Sequence, residues 1–117
     1  MPDDLPSAQN QKTSIAPMLS VRRGAKAVEF YKAAFGAHEL FRVEDPTGSV
    51  VAQLSIGRSN FWLADESPEH RNFSPETLGG CSVRLVMVVE DPDAVFAQAV
   101  AAGRGVRQAG RPRTSAR

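Results

Sequence analysis

The sequence predicts an α+β domain: one strand-helix-three-strand (βαβββ) module followed by an incomplete second module made of a strand and a helix. One strand-turn-helix pattern occurs twice at a constant offset of 67 residues, with Leu19-Ser20-Val21, Gly24, Ala27-Val28 and Gly36 echoed by Val86-Met87-Val88, Asp91, Ala94-Val95 and Gly103. Such an echo marks a duplicated unit. The hydrophobic period also changes from strand to helix and back to strand between Ile15 and Asp65. The second copy then loses its continuation: 29 residues of alternating sequence follow Gly36 up to Asp65, whereas only fourteen residues follow Gly103, and five of them are arginine.

The elements follow in order. Residues 1–14 are polar and Pro-rich and predict a disordered tail, since they have too little apolar surface to offset the entropy of ordering. Residues 15–66 form the first module. Ile15–Val21 is a short apolar run halted by Arg22-Arg23-Gly24 and predicts a strand. Ala27, Val28, Tyr31, Ala34 and Phe35 recur at helical spacing, and Gly36 supplies the left-handed residue that closes a helix. His38–Val43, Ser49–Ile56 and Asn60–Asp65 then alternate as three strands joined by turns at Asp45-Pro46-Thr47-Gly48 and Gly57-Arg58-Ser59. Residues 67–80, with two prolines and Gly79-Gly80, predict a linker. Residues 81–103 form the partial second module: a valine-rich strand over Cys81–Glu90, then a helix opened by Asp91-Pro92-Asp93, buried through Val95, Phe96, Ala99 and Val100 and ended by Gly103. Residues 104–117 are an arginine-rich tail.

A chain of 117 residues, 42% hydrophobic, suits one core and no second independent domain. Residues 1–103 hold nine Lys/Arg against thirteen Asp/Glu, a net −4, while the last fourteen residues carry five Arg and no acid, a net +5. A basic tail can bind phosphate, but it has no interleaved aromatics and the body is acidic, so nucleic acid is not the expected partner. The abrupt change at Arg104 also raises the expectation of a truncated or frame-altered gene. Cys81 is the only cysteine and cannot form an internal disulfide; with no apolar span and no secretion signal, a soluble protein of the reducing cytoplasm is expected.

At the residue level the chain resembles the vicinal-oxygen-chelate superfamily, which includes glyoxalase I, bleomycin-resistance-like binding proteins and extradiol dioxygenases. The matching stretches are Pro17–Val21, Ala27–Tyr31 with Phe35-Gly36-Ala37, Leu54–Gly57, Leu63–Glu66, and Val89–Phe96 with Ala101-Ala102-Gly103. The resemblance implies a glyoxalase/bleomycin-resistance-like fold in which two modules form a cupped sheet, and in which inward side chains can hold a divalent metal that polarises vicinal oxygens. At the positions of those ligands stand Ala16, Leu63 and Arg84, none of them a normal metal ligand. The expected function is therefore binding of a small organic ligand in the cup, with no cofactor. The alternative is a metal-dependent lyase or dioxygenase whose ligands are completed by a second chain. Catalytic residues, and whether the protein is an enzyme at all, stay open.

Strand alternation assigns Met18, Gln53, Phe61, Leu63 and Asp65 to the cup, together with Arg84 from the fifth strand, and these are the expected ligand-binding residues. A buried Arg84 would need an acid, either Asp65 or a ligand anion. Trp62 and Phe30 are assigned to the core. Asp65, Glu66, Glu69 and His70 could be read as a metal cluster, but their place beside a Pro-rich linker favours solvated loop charges. A module short of three strands leaves sheet edges and apolar surface that need covering, so a homodimer is expected.

Overall fold

The computed structural model describes residues 13–106. Strand β1 (Met18–Val21) leads into helix α1 (Gly24–Phe35); β2 (His38–Glu44), β3 (Val50–Ile56) and β4 (Ser59–Asp65) follow, then a 3-10 turn (Pro68–His70), the single-turn helix α2 (Pro75–Leu78) and helix α3 (Pro92–Val106). The strands form one sheet in the order β1-β4-β3-β2. β1 runs parallel to β4, and the other pairs are antiparallel. The first module is therefore the βαβββ unit predicted, with α1 packed on one face of the sheet.

Helix α1 has no Ser, Thr, Asp or Asn at its entrance, and Arg23 makes no side-chain cap. Its first amide is bound from a distance: Gly24 donates to Asp65 Oδ1 at 2.9 Å, and Asp65 Oδ2 accepts from the Val50 amide at 2.7 Å. One carboxylate at the end of β4 thus caps α1 and anchors the start of β3. At the other end Gly36, at φ 67°, donates to the Lys32 carbonyl, closing the helix in the conformation glycine tolerates best. The β2–β3 turn is built on Asp45, whose Oδ1 accepts from the amides of Thr47 and Ser49 and from the Thr47 hydroxyl.

The core lies between α1 and the sheet. Val28, Ala37, Val50, Ala52, Leu54, Phe61 and Leu63 are buried there, with Leu19, Val21, Ala27, Tyr31 and Ile56 packed against them. Full burial of each large side chain contributes ~1.5–3 kcal/mol. The Tyr31 ring meets Phe61 edge-on at 5.2 Å, and burial pushes the Tyr31 hydroxyl pKa up.

The second half differs from expectation. Cys81–Glu90 carries no strand, and Val86 and Val88 stand 87% and 91% exposed. Its sequence favours a strand, but a strand needs a neighbour to pair its amides and carbonyls, and among the described residues none lies beside it. Asp91 caps α3 as predicted, its Oδ1 accepting from the Ala94 amide at 3.1 Å. The helix does not stop at Gly103, which keeps a helical φ, but runs to Val106. Without a sheet of its own to cover, α3 rests on α1, where Gln98 Nε2 donates to the Ala33 carbonyl at 3.0 Å. Val95 and Ala99 are half-buried, whereas Phe96, expected in the core, is 69% exposed. Among the described residues no helix is long and apolar enough to cross a membrane. The arginine-rich tail beyond residue 106 and most of the N-terminal tail lie outside the described residues.

Candidate functional site

Directly paired residues of neighbouring strands point to the same face of a sheet, so the register fixes which side chains look away from α1. Met18 pairs with Trp62, Trp62 with Gln53, and Gln53 with Phe41, giving one row across all four strands. A second row runs Ser20, Ala64, Val51 and Val43, and a third Asn60, Ser55 and His38. This is the open face of the sheet. The Phe41 and Trp62 rings sit on strands β2 and β4, yet their centroids are 5.7 Å apart at 67°. Flanking strands of a sheet lie roughly 9–10 Å apart, so the two rings lean together over the intervening Gln53. Phe41 remains 47% exposed and Met18 55%.

Of the predicted site residues, Met18 and Gln53 lie side by side with Trp62 on this face, as the register requires. Phe61, Leu63 and Asp65 do not. Phe61 and Leu63 belong to the core under α1, Leu63 being 0% exposed, and Asp65 serves the amides of Gly24 and Val50. The reason is a one-residue slip in assigning β4: its centre, Phe61-Trp62-Leu63-Ala64, is apolar at every position, so alternation does not say which set is inside, and a shift of one exchanges the two faces. The same slip hid Trp62, expected in the core and found on the open face.

Arg84 is also displaced from expectation. It lies in the exposed, unpaired 81–90 run, while Asp65, its expected acid, is occupied at the α1 entrance. Phe41 was missed because β2 carries a register irregularity between Glu39 and Phe41; a bulge re-aims the side chains that follow it. The charged residues of β2 instead serve the α1 side, where Glu39 pairs with Lys32 at 3.0 Å and Arg42 at 3.5 Å. The Lys32 hydrogen bond holds the Glu39 carboxyl below its usual pKa.

The acidic residues at the end of β4 have structural partners. Glu66 accepts from the Ser74 amide at 2.8 Å and the Thr77 hydroxyl at 3.0 Å, with Arg22 at 3.9 Å; these bonds, the Ser74 amide foremost, lower its pKa. His70 Nδ1 meets the Ser67 hydroxyl at 2.7 Å. Among the described residues no three His, Cys, Asp or Glu side chains converge as a cation would require. The positions at which the superfamily resemblance places ligands scatter likewise: Ala16 precedes β1, Leu63 is in the core, and Arg84 is off the sheet. Among the described residues, these positions therefore bring no side-chain metal ligands together.

No protein-family model matches the chain. It is 37% identical over 103 residues to the uncharacterized protein Mb0911c of Mycobacterium bovis, a match covering 85% of this chain and 68% of the relative. It is equally similar to the uncharacterized protein Rv0887c of Mycobacterium tuberculosis, of whose length it spans 61%. Among solved structures it is similar to the Arabidopsis thaliana gene product At5g48480, with a TM-score of 0.64 and 31% identity over 78% of this chain and 73% of that one. It also resembles the fosfomycin resistance protein FosX of Listeria monocytogenes, solved with Mn(II) and sulfate, with a TM-score of 0.53 and 18% identity over 78% of this chain and 71% of that one. The likeness to FosX is one of fold.

Proposed function

The chain belongs to the family of the mycobacterial protein Mb0911c, is similar to vicinal-oxygen-chelate proteins at the superfamily level and has a glyoxalase/bleomycin-resistance-like fold, and on that premise we propose that it binds a small organic ligand on the open face of its sheet without a resident metal. The observation that supports this most is the row Met18, Trp62, Gln53 and Phe41: apolar and aromatic surface around one amide on the face away from α1, with Met18 and Phe41 exposed and Trp62 and Gln53 half-buried. Ligand sites are concave, mostly apolar surfaces with a few placed polar groups. A flat sheet face supplies only one wall. The opposing wall comes from a second copy in a homodimer, a reading favoured by the exposed apolar run at 81–90. The free thiol of Cys81 suits a reducing cytoplasm.

A second reading is a metal-dependent lyase or dioxygenase whose ligand set is completed by a second chain; the Mn(II) in the FosX structure favours it. The two separate in one experiment. A thermal-shift series in manganese, zinc, nickel and iron, run beside a library of small organic compounds, reads which of them binds the folded state, because such binding raises apparent stability. Stabilisation by organic compounds with no metal present supports metal-free binding, and a shift that requires metal overturns it.

A further inference from the structure

Resting on the reading that the protein is a homodimer, we infer that the run 83–90 is its pairing strand: it joins the same run of a second copy in an antiparallel ladder centred on Met87, with Arg84 of each copy facing Glu90 of the other. The run has the character of a strand without a ladder. From Val83 to Val89 it contains no turn, bend or left-handed residue. Val86 and Val88 stand out almost fully, whereas Leu85 and Met87 are exposed by about half and Val89 is half-buried. Alternation of period two is that of a strand with one side turned to the body. Among the described residues no strand pairs with it, so its amides and carbonyls are open to a partner.

Charge selects the partner and the register. Arg84 and Glu90 are the only charged side chains between residues 81 and 90, and they lie three residues to either side of Met87. Both are exposed. When two copies pair about Met87, Arg84 faces Glu90 at both ends, Leu85 faces Val89, and Val86 faces Val88. Opposite charges directly across a ladder stabilise it, and like charges oppose it. The same register gathers Val86 and Val88 of both copies on the outward face, where they cover one another between the two ion pairs. A slip of one residue would turn the outward side chains of one copy toward the inward ones of the other, and would set Arg84 against Val89 or against Asp91, whose carboxylate already caps α3. A slip of two leaves both charges facing uncharged residues, and parallel pairing in register sets Arg84 beside Arg84. The two edges of the sheet match the run less well: β1 carries no charge, and on β2 Glu39, Arg42 and Glu44 are paired with one another and with Lys32.

The test uses the full chain in sedimentation equilibrium over a concentration series, with circular dichroism to check that each variant keeps its fold. Arg84→Glu and Glu90→Arg are each expected to raise the dimer dissociation constant roughly tenfold or more, because each sets two like-charged pairs in the ladder. The double variant restores both opposite pairs and should dimerise as the unmodified protein does. An equimolar mixture of the two single variants should do the same, since each chain then complements the other. Cross-linking gives a second reading in a Cys81→Ser background. Met87→Cys should form a disulfide between copies, because residues directly across a ladder lie about 4.5–5.5 Å apart at Cα, whereas Val88→Cys, which faces Val86, should not. A dimer indifferent to the charge reversals, or one that they weaken with no recovery in the double variant and the mixture, overturns the inference while leaving the homodimer in place. Cross-linking through Val88→Cys and not through Met87→Cys overturns it likewise. Unmodified protein that stays monomeric at every concentration overturns the inference and the homodimer together.

Discussion

The Asp65 carboxylate caps the Gly24 amide at 2.9 Å across 41 residues of sequence, so the last residue of the sheet completes the first turn of the helix. This contact also explains why residue 24 must be glycine. A Cβ there would fall 2.6 Å from Asp65 Oδ2 and 3.1 Å from the Val50 Cβ. Alanine in a helix usually gains ~0.5–1 kcal/mol over glycine. At this position Gly24→Ala instead loses ~1–3 kcal/mol through overpacking, and Asp65→Ala loses about as much for each amide left unpaired. Urea midpoints of both variants check the sign: a more stable Gly24→Ala protein would show that the carboxylate does not hold this position.

The assignment of faces on β4 is tested by neighbouring substitutions. Leu63→Ala removes a fully buried side chain from the core and is expected to cost ~2–5 kcal/mol. Trp62→Ala truncates a larger but half-buried side chain and should cost less than ~2 kcal/mol, while abolishing the protein's tryptophan emission. Reversal of that order in denaturant melts would mean that the strand is inserted with the other face inward.

Acid should destabilise the fold through identified carboxylates. Glu66 is held below the ordinary Glu value of 4.5 by the Ser74 amide and the Thr77 hydroxyl, and Glu39 by Lys32. Asp45 is held below 3.8, chiefly by the Thr47 hydroxyl. Folded pKa values below unfolded ones mean that the stabilisation is fully present above the unfolded values and is lost as pH falls through the folded ones. Urea midpoints should therefore be level near neutrality and drop below about pH 4.5. Glu66→Gln is expected to flatten part of that drop; an unchanged acid limb would remove Glu66 from the account.

The exposed run at 81–90 gives a prediction about association. Val86→Thr with Val88→Thr touches nothing in the core and should change the melting midpoint little, within ~0.5 kcal/mol. If a second copy covers this run, sedimentation should show the double variant shifted toward monomer at equal concentration. A large loss of stability in a monomeric background would place these valines inside the fold instead.

Period and turn chemistry made most of the first module legible. Helix α1 begins and ends at the residues its spacing and Gly36 indicate, Asp45 and Asp91 act where their positions suggest, and the strands differ from expectation mainly at their ends. What could not be read was the choice between equally apolar alternatives. Phe61-Trp62-Leu63-Ala64 has no polar residue to mark its outer face, so only pairing with Met18 and Gln53 decides that Trp62 is outside. Asp65 was misread for a related reason: an acid at a strand end resembles a site residue until the uncapped entrance of α1 is brought beside it. That entrance, Val21-Arg22-Arg23-Gly24, was the available signal, because a helix without a local cap needs its amides satisfied from elsewhere. In the second module, the valine-rich run 81–90 is expected to be a strand and is not one, because propensity does not supply the neighbour a strand requires.

The parallel pairing of β1 with β4 has a consequence for synthesis. Among the described residues the first strand, β1, has its partner among residues 59–65, so Leu19 and Val21 must wait, uncovered, while α1, β2 and β3 are made. The antiparallel β2–β3 hairpin can form on the way, but the module locks only when its final strand emerges and slots between β3 and β1. A nascent chain stalled a few residues short of Asp65 would expose Leu19 and Val21 to chaperones, and one stalled well beyond it would not.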